Sequence, residues 1–261
     1  MTDIALFQMW GPFRQSLIDG HVFYVEQARK RLLSRFDDIE VEAERASEEW
    51  LKLHKHHFDP DRHDPSDFYD AAQQAGVDFY ELLSDMREQT RLSVVAGIYH
   101  EWDKQLRDWI VSQARHWHKG EHLGAAVWAA DFKKVMEFLE CLGWKVQAQS
   151  YFALLDACRL VVNVYKHGDG KSLDELRRIF PDYLDDPFDG MDTALSDAKY
   201  RDHTHLRVTD AHLQDFSDAV VEFWKDCPEN VFGLQINNLP DWFEKAAAKD
   251  SPAQHQTTSK K

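Results

Sequence analysis

The sequence predicts an all-α protein, a helical bundle that begins with a long N-terminal helix or helical hairpin and contains an irregular acidic segment. Three observations predict it. Apolar residues recur at three- and four-residue steps along most of the chain, the period of a helix with one buried face. The periodic stretches are separated by Pro, Gly and capping residues, which end helices. Nine Trp and sixteen Phe are enough large side chains to fill the space between packed helices.

Residues 14–57 form one long helix or two in tandem. Leu17, Val22, Val25, Leu32, Leu33, Phe36, Ile39, Val41, Trp50, Leu51 and Leu53 make its apolar side, and the charged run 40–49 its solvated face. Asp59-Pro60 through Asp64-Pro65 interrupts it, because a residue before proline resists the helical conformation. Ser66 is the expected cap of the next helix, 67–117, where Gly76 marks the place for a bend. Val95, Ile98, Tyr99, Trp102, Leu106, Trp109 and Ile110 give this helix its core stripe, and Lys119-Gly120 ends it.

A helix over 130–142 closes at Gly143, and one over 150–167 at Gly168. Ser172-Leu173-Asp174-Glu175 has the form of a capping box opening a short helix that Pro181 stops. Residues 182–205 read as irregular and acidic, and His205-Leu206-Arg207-Val208 as a short strand. Thr209-Asp210 caps a helix to Asp226, and a last helix covers 241–248. The expected organisation is one helical domain: an N-terminal extension at 14–64, a core at 66–180, a C-terminal helical portion at 181–250 and a disordered tail at 251–261.

Composition narrows the function. With 46 acidic against 31 basic residues the formal charge is −15, which opposes nonspecific nucleic-acid binding. An RNA ligand would need a local basic or neutral cleft. Cys141, Cys158 and Cys227 are odd in number and widely spaced, so buried thiols in a reducing cytoplasm are expected rather than a disulfide framework. The start lacks the basic flank and apolar run of a signal peptide, and no stretch reaches the ~20 apolar residues of a membrane span.

One polar stripe stands out on the helix at 150–167. At about 100° per residue, Asp156, Arg159, Asn163, Lys166 and His167 fall on an arc of roughly 100°, with apolar residues around the rest. Metal-independent RNA cleavage needs groups that move a proton from the 2′-hydroxyl and to the leaving oxygen, and a fixed cation for the phosphorane. His167 suits the first task because it titrates near neutral pH. Arg159 suits the second through its bidentate fork, and Asn163, one turn before His167, can orient the ring. Lys166 and Lys171 are candidate RNA contacts. The bland alternatives are a solvated helix face, and a histidine that caps the last carbonyls of its own helix.

Asn163-Val164-Tyr165-Lys166-His167-Gly168 resembles the closing motif of the HEPN superfamily, whose late helix carries an arginine, a polar residue and a histidine. Tyr99-His100-Glu101-Trp102-Asp103-Lys104-Gln105-Leu106 is similar to an early HEPN helix in which an aromatic precedes an acidic residue. The resemblance covers roughly residues 92–176. It implies a bundle that dimerises, placing two arginine and histidine sets in one cleft. It further implies a metal-independent endoribonuclease of a bacterial toxin or antiviral defence system, or a catalytically inactive protein-interaction module. The expected partners are RNA, an antitoxin or a defence-complex subunit, with no cofactor. The chain departs from the motif where the family arginine often precedes the asparagine: Val162 holds that place, and Arg159 stands one turn further back.

Other motifs are weaker. His54, His56, His57 and His63 with Asp59 and Asp61, and His116, His118 and His122, invite a metal reading. They lack a partner cysteine pair or a His-Glu-x-x-His pattern, so surface histidines and no dedicated metal site are expected. Asp182, Asp185, Asp186, Asp189 and Asp192 lack calcium-loop spacing. Gly170-Lys171-Ser172 follows a helix, and Tyr165 stands where a P-loop has its first glycine, which excludes nucleotide hydrolysis at that turn.

Overall fold

The computed structural model describes residues 4–59, 61–62, 64–186, 197–236 and 238–250. The chain is all-α as its periodicity predicts, a helical bundle with a long N-terminal helix. Its helices are α1 (Gly11–Arg31), α2 (Ile39–His54), α3 (Pro65–Ala114), α4 (His122–Ala129), α5 (Phe132–Cys141), α6 (Phe152–His167), α7 (Lys171–Ile179), α8 (Asp210–Asp226) and α9 (Asp241–Asp250). No helix among the described residues is long and apolar enough to cross a membrane.

The contacts group the chain into two compact units that are not consecutive segments of it. The first draws on 1–22, 98–160 and 214–261, the second on 23–97 and 161–213.

In the first unit, strands β1 (Ala5–Gln8) and β2 (Asn230–Phe232) form an antiparallel ladder in which Phe7 lies opposite Val231. Strands of four and three residues are too short to show a two-residue period, and this ladder went unseen in the sequence. Phe7 points inward against Trp109 and Phe138, with ring centroids 5.9 and 5.7 Å apart. Phe223 packs edge-on to Trp102 at 5.1 Å and against Trp144 at 4.7 Å. Beside them Asp226 accepts hydrogen bonds from the Trp144 indole and the Tyr151 hydroxyl, both at 2.7 Å, so the polar ends of two large rings are satisfied.

Helix α4 is the second element the sequence did not reveal. Eight residues are too few for a helix that stands on its own, and both ends are held by distant side chains. At its N-terminus the Asp250 carboxylate, almost wholly shielded from solvent, accepts the backbone N–H of His122 and Leu123 at 3.0 Å each. At its C-terminus Arg107, also buried, donates to the carbonyls of Val127 and Ala130 at 2.6 and 2.8 Å. A carboxylate at the positive end and a guanidinium at the negative end both complement the helix dipole.

In the second unit, the end of α1 and α2 are separate helical segments, joined through a 3₁₀ turn at Leu33–Phe36. Phe36 and Ile39 are buried, but Leu32, Val41 and Leu53 face solvent, so the apolar side is narrower than its sequence suggested. Helix α3 starts at Pro65, and its capping carboxylate belongs to Asp64, which accepts the Ser66 N–H at 2.8 Å; Ser66 lies inside the helix. There is no break at Gly76. A side chain there would strike Ser47 and the Ala43 carbonyl of α2, so the glycine serves close helix packing. Arg91 of α3 is buried between Glu88 at 2.7 Å and Asp210 at 2.9 Å.

Helix α7 begins at Lys171 with no side-chain cap, so Ser172 does not open it. Around 183–207 the described chain makes an isolated antiparallel bridge, Leu184 to Leu206, where a strand was expected. There Arg201 binds the Leu184 carbonyl and Asp186. Thr209 does cap α8, accepting the His212 N–H at 3.1 Å. Asp189, Asp192, His63 and the tail at 251–261 lie outside the described residues.

Candidate functional site

Helix α6 carries the polar stripe, and its buried side explains its position: Leu155, Cys158, Val161, Val162 and Val164 are all at most 2% exposed. It ends as its sequence predicts. Gly168 takes φ +69°, in the left-handed region, and its N–H bonds to the Val164 carbonyl at 2.8 Å. The turn beyond is pinned by Asp169, whose Oδ1 accepts from the His203 backbone N–H at 3.1 Å and contacts His203 Nδ1 at 2.9 Å. These hydrogen bonds hold the Asp169 carboxyl below its usual value.

At this end of α6, Lys166 and His167 are exposed, Asn163 is half-buried one turn earlier, and Lys171 is exposed on the first residue of α7. All four belong to the second unit. Among the described residues nothing hydrogen-bonds the His167 ring. Tyr165, on the neighbouring face, is fixed by a 2.9 Å hydrogen bond to Ser93.

Arg159 is placed differently. It belongs to the first unit's stretch of α6 and is committed there. Its Nε and Nη2 reach Asp156 Oδ1 at 2.8 and 2.6 Å, and its guanidinium carbon lies 5.2 Å from the centre of the Phe132 ring. The group that the sequence nominated as a phosphate clamp thus has a carboxylate in its fork. Asp156 was part of the polar stripe, and an acidic residue three positions before an arginine was the signal for that pair.

The early segment of the resemblance meets α6 here. Tyr99 is buried, and its hydroxyl is pushed up first by that burial, then by Asp103 and Cys158, with Arg159 and Arg107 pulling it back. Asp103 holds Arg107 through two hydrogen bonds at 2.8 and 3.0 Å. Glu101 remains exposed beside Lys104 and Gln105.

The histidine clusters have local partners. His54 stacks on Trp50 at 4.1 Å and contacts its carbonyl at 2.8 Å, while His56 and His57 lie 3.9 Å apart. His118 Nε2 and His122 Nδ1 meet Asp250 at 3.0 and 2.8 Å. Among the described residues no group of three His, Cys, Asp or Glu side chains is arranged to hold a metal ion. All three cysteines are free thiols, and burial raises the pKa of each.

Sequence reasoning missed Arg107, Asp250, Arg115 and Lys119. The first two join α4 to partners 20 or more residues away. The last two line a cavity of about 540 Å³ beside α4. Compared with known proteins, the chain matches no family model, no curated protein and no solved structure.

Proposed function

We propose that this chain is a HEPN-like cytoplasmic protein of a bacterial defence or toxin system, and that it meets RNA at the C-terminal end of α6. The observation that carries this reading is the exposed corner formed by Lys166, His167 and Lys171 around the pinned Gly168 turn. Two lysines at the rim supply positive charge on an acidic chain, and the uncommitted imidazole is open to a phosphodiester. In the endoribonuclease form, His167 moves the proton, Asn163 orients the ring, and Arg159 exchanges Asp156 for the scissile phosphate without a metal. A homodimer would bring two copies of His167 to one groove.

The Arg159–Asp156 pair favours a second reading, in which the module is catalytically inactive and the same corner binds an antitoxin or a defence-complex subunit. One experiment separates them. Purified full-length protein is incubated with structured and single-stranded RNA in excess EDTA, beside His167→Ala. Cleavage by wild type that the substitution abolishes supports the enzyme. If wild type binds RNA but leaves it intact, and Lys166→Ala with Lys171→Ala weakens binding, the corner meets RNA but the endoribonuclease form is removed. Absence of both cleavage and binding removes the RNA reading and leaves the protein-interaction module.

A further inference from the structure

A cavity lies beside α4, and no residue of α6 lines it. We propose that it binds a small molecule with an apolar body and a single oxyanion head, of the medium-chain carboxylate type. Its volume of about 540 Å³ falls within the range of small-molecule sites, roughly 300–1,000 Å³. Val111, Ala114, Leu123 and Val127 form an apolar floor, all of them buried. Trp128, which also lines it, is 47% exposed, a large ring left only half covered by its own chain.

Charge selects the head group. Arg115 and Lys119 line the cavity, and neither side chain makes an ion pair or hydrogen bond with another described residue. The lining also holds one carboxylate, Glu121, and His118, whose ring is engaged with Asp250. On a chain of net charge −15, two uncommitted cations above an apolar floor form a local basic site. A carboxylate between them gains charge-assisted hydrogen bonds as its tail leaves water.

Gly124 supplies independent support. It is the third residue of α4, within a helix that glycine disfavours, and it also lines the cavity. Sterics do not require it: a Cβ built there would meet only the Val111 side chain, at an ordinary 3.6 Å. What the missing side chain preserves is the open space. The walls are rigid, because Asp250 and Arg107 clamp the two ends of α4.

The probe is decanoate, with decan-1-ol as its neutral counterpart, titrated into the full-length protein by calorimetry and tryptophan fluorescence. Wild type is expected to bind decanoate about tenfold or more tighter than the alcohol, the scale of one charge-assisted contact. The exposed double substitution Arg115→Gln with Lys119→Gln removes that preference. Gly124→Leu fills the cavity and abolishes binding of both probes while the far-ultraviolet circular dichroism is retained. The proposal is overturned by wild type that binds no decanoate, by equal affinity for acid and alcohol, or by a folded Gly124→Leu protein that binds as wild type does. If Gly124→Leu fails to fold, the surface double substitution decides alone, and unchanged preference in it is equally fatal.

Discussion

Arg159 and Asp156, three residues apart on α6, hold each other through two nitrogen contacts to one carboxylate oxygen, at 2.8 and 2.6 Å. Both side chains are about four-fifths covered, at 18% and 20% exposure, so the pair is worth more than a surface bridge and competes with any phosphate for the same guanidinium. Asp156→Ala is expected to lower stability by about 1–2 kcal/mol in urea titrations. If Arg159 serves RNA, that substitution also tightens RNA binding or speeds cleavage. An Asp156→Ala protein with unaltered RNA behaviour would take Arg159 out of the site.

Arg107 is the more costly residue to remove. It lies beneath α4, 7% exposed, bound to Asp103 and to the last carbonyls of that helix. Arg107→Met leaves a half-buried carboxylate and two buried carbonyls without their donor. A loss of about 3–5 kcal/mol is expected by urea or thermal unfolding. Stability within 1 kcal/mol of wild type, roughly the span of ordinary surface substitutions, would show that α4 does not depend on this clamp.

Asp250 links α9 to α4 and sets an acid limit. Burial by itself would raise its pKa. The hydrogen bonds from His118, the His122 and Leu123 N–H groups and the His122 ring outweigh that and hold it far below the usual carboxylate range. For a carboxyl depressed on folding, the contribution is complete above its unfolded value of about 3.9 and is lost as pH falls toward the folded one. The protection of α9 amides from hydrogen exchange, taken relative to the intrinsic rate at each pH, should therefore stay high near neutral pH and fall below about pH 4, the range set by that unfolded value. In Asp250→Asn that protection should be low throughout. Gly120→Ala should imitate that variant, because a side chain at Gly120 would occupy the place of the Asp250 carboxylate.

His21 gives a second, milder pH dependence. It is buried against Ser217, 2.9 Å away, and burial lowers its pKa despite the opposing pull of Ser217 and Asp218. A histidine whose folded pKa is depressed stabilises the fold fully above its unfolded value of about 6.5, and that share falls as pH drops through the folded value. Urea midpoints compared at about pH 7.5 and 5.5, on either side of that value, should fall for wild type and fall less for His21→Gln. Parallel declines in the two proteins would assign the acid sensitivity elsewhere.

Contiguous residues encoded what a single helix needs. The period of Val95, Ile98, Trp102, Leu106 and Trp109 is a local property, and all five are buried as it requires. Gly168 and Thr209 end and begin helices by bonds within four residues, so they too were legible. The exposure of Lys166 and His167 followed from the same periodicity.

Tertiary structure decided what depends on partners remote in sequence. Helix α4 forms between Asp250 and Arg107, at separations from 20 to 128 residues, and no spacing rule connects such positions. At Gly76 a glycine's backbone freedom is visible in sequence, whereas the approach of Ser47 is not. Strand β1 finds β2 across more than 200 residues. Local propensity is a sum over neighbours and can be read in order. Caps, close approaches and cavities exist only after distant groups have been brought within a few ångströms by the burial of apolar surface.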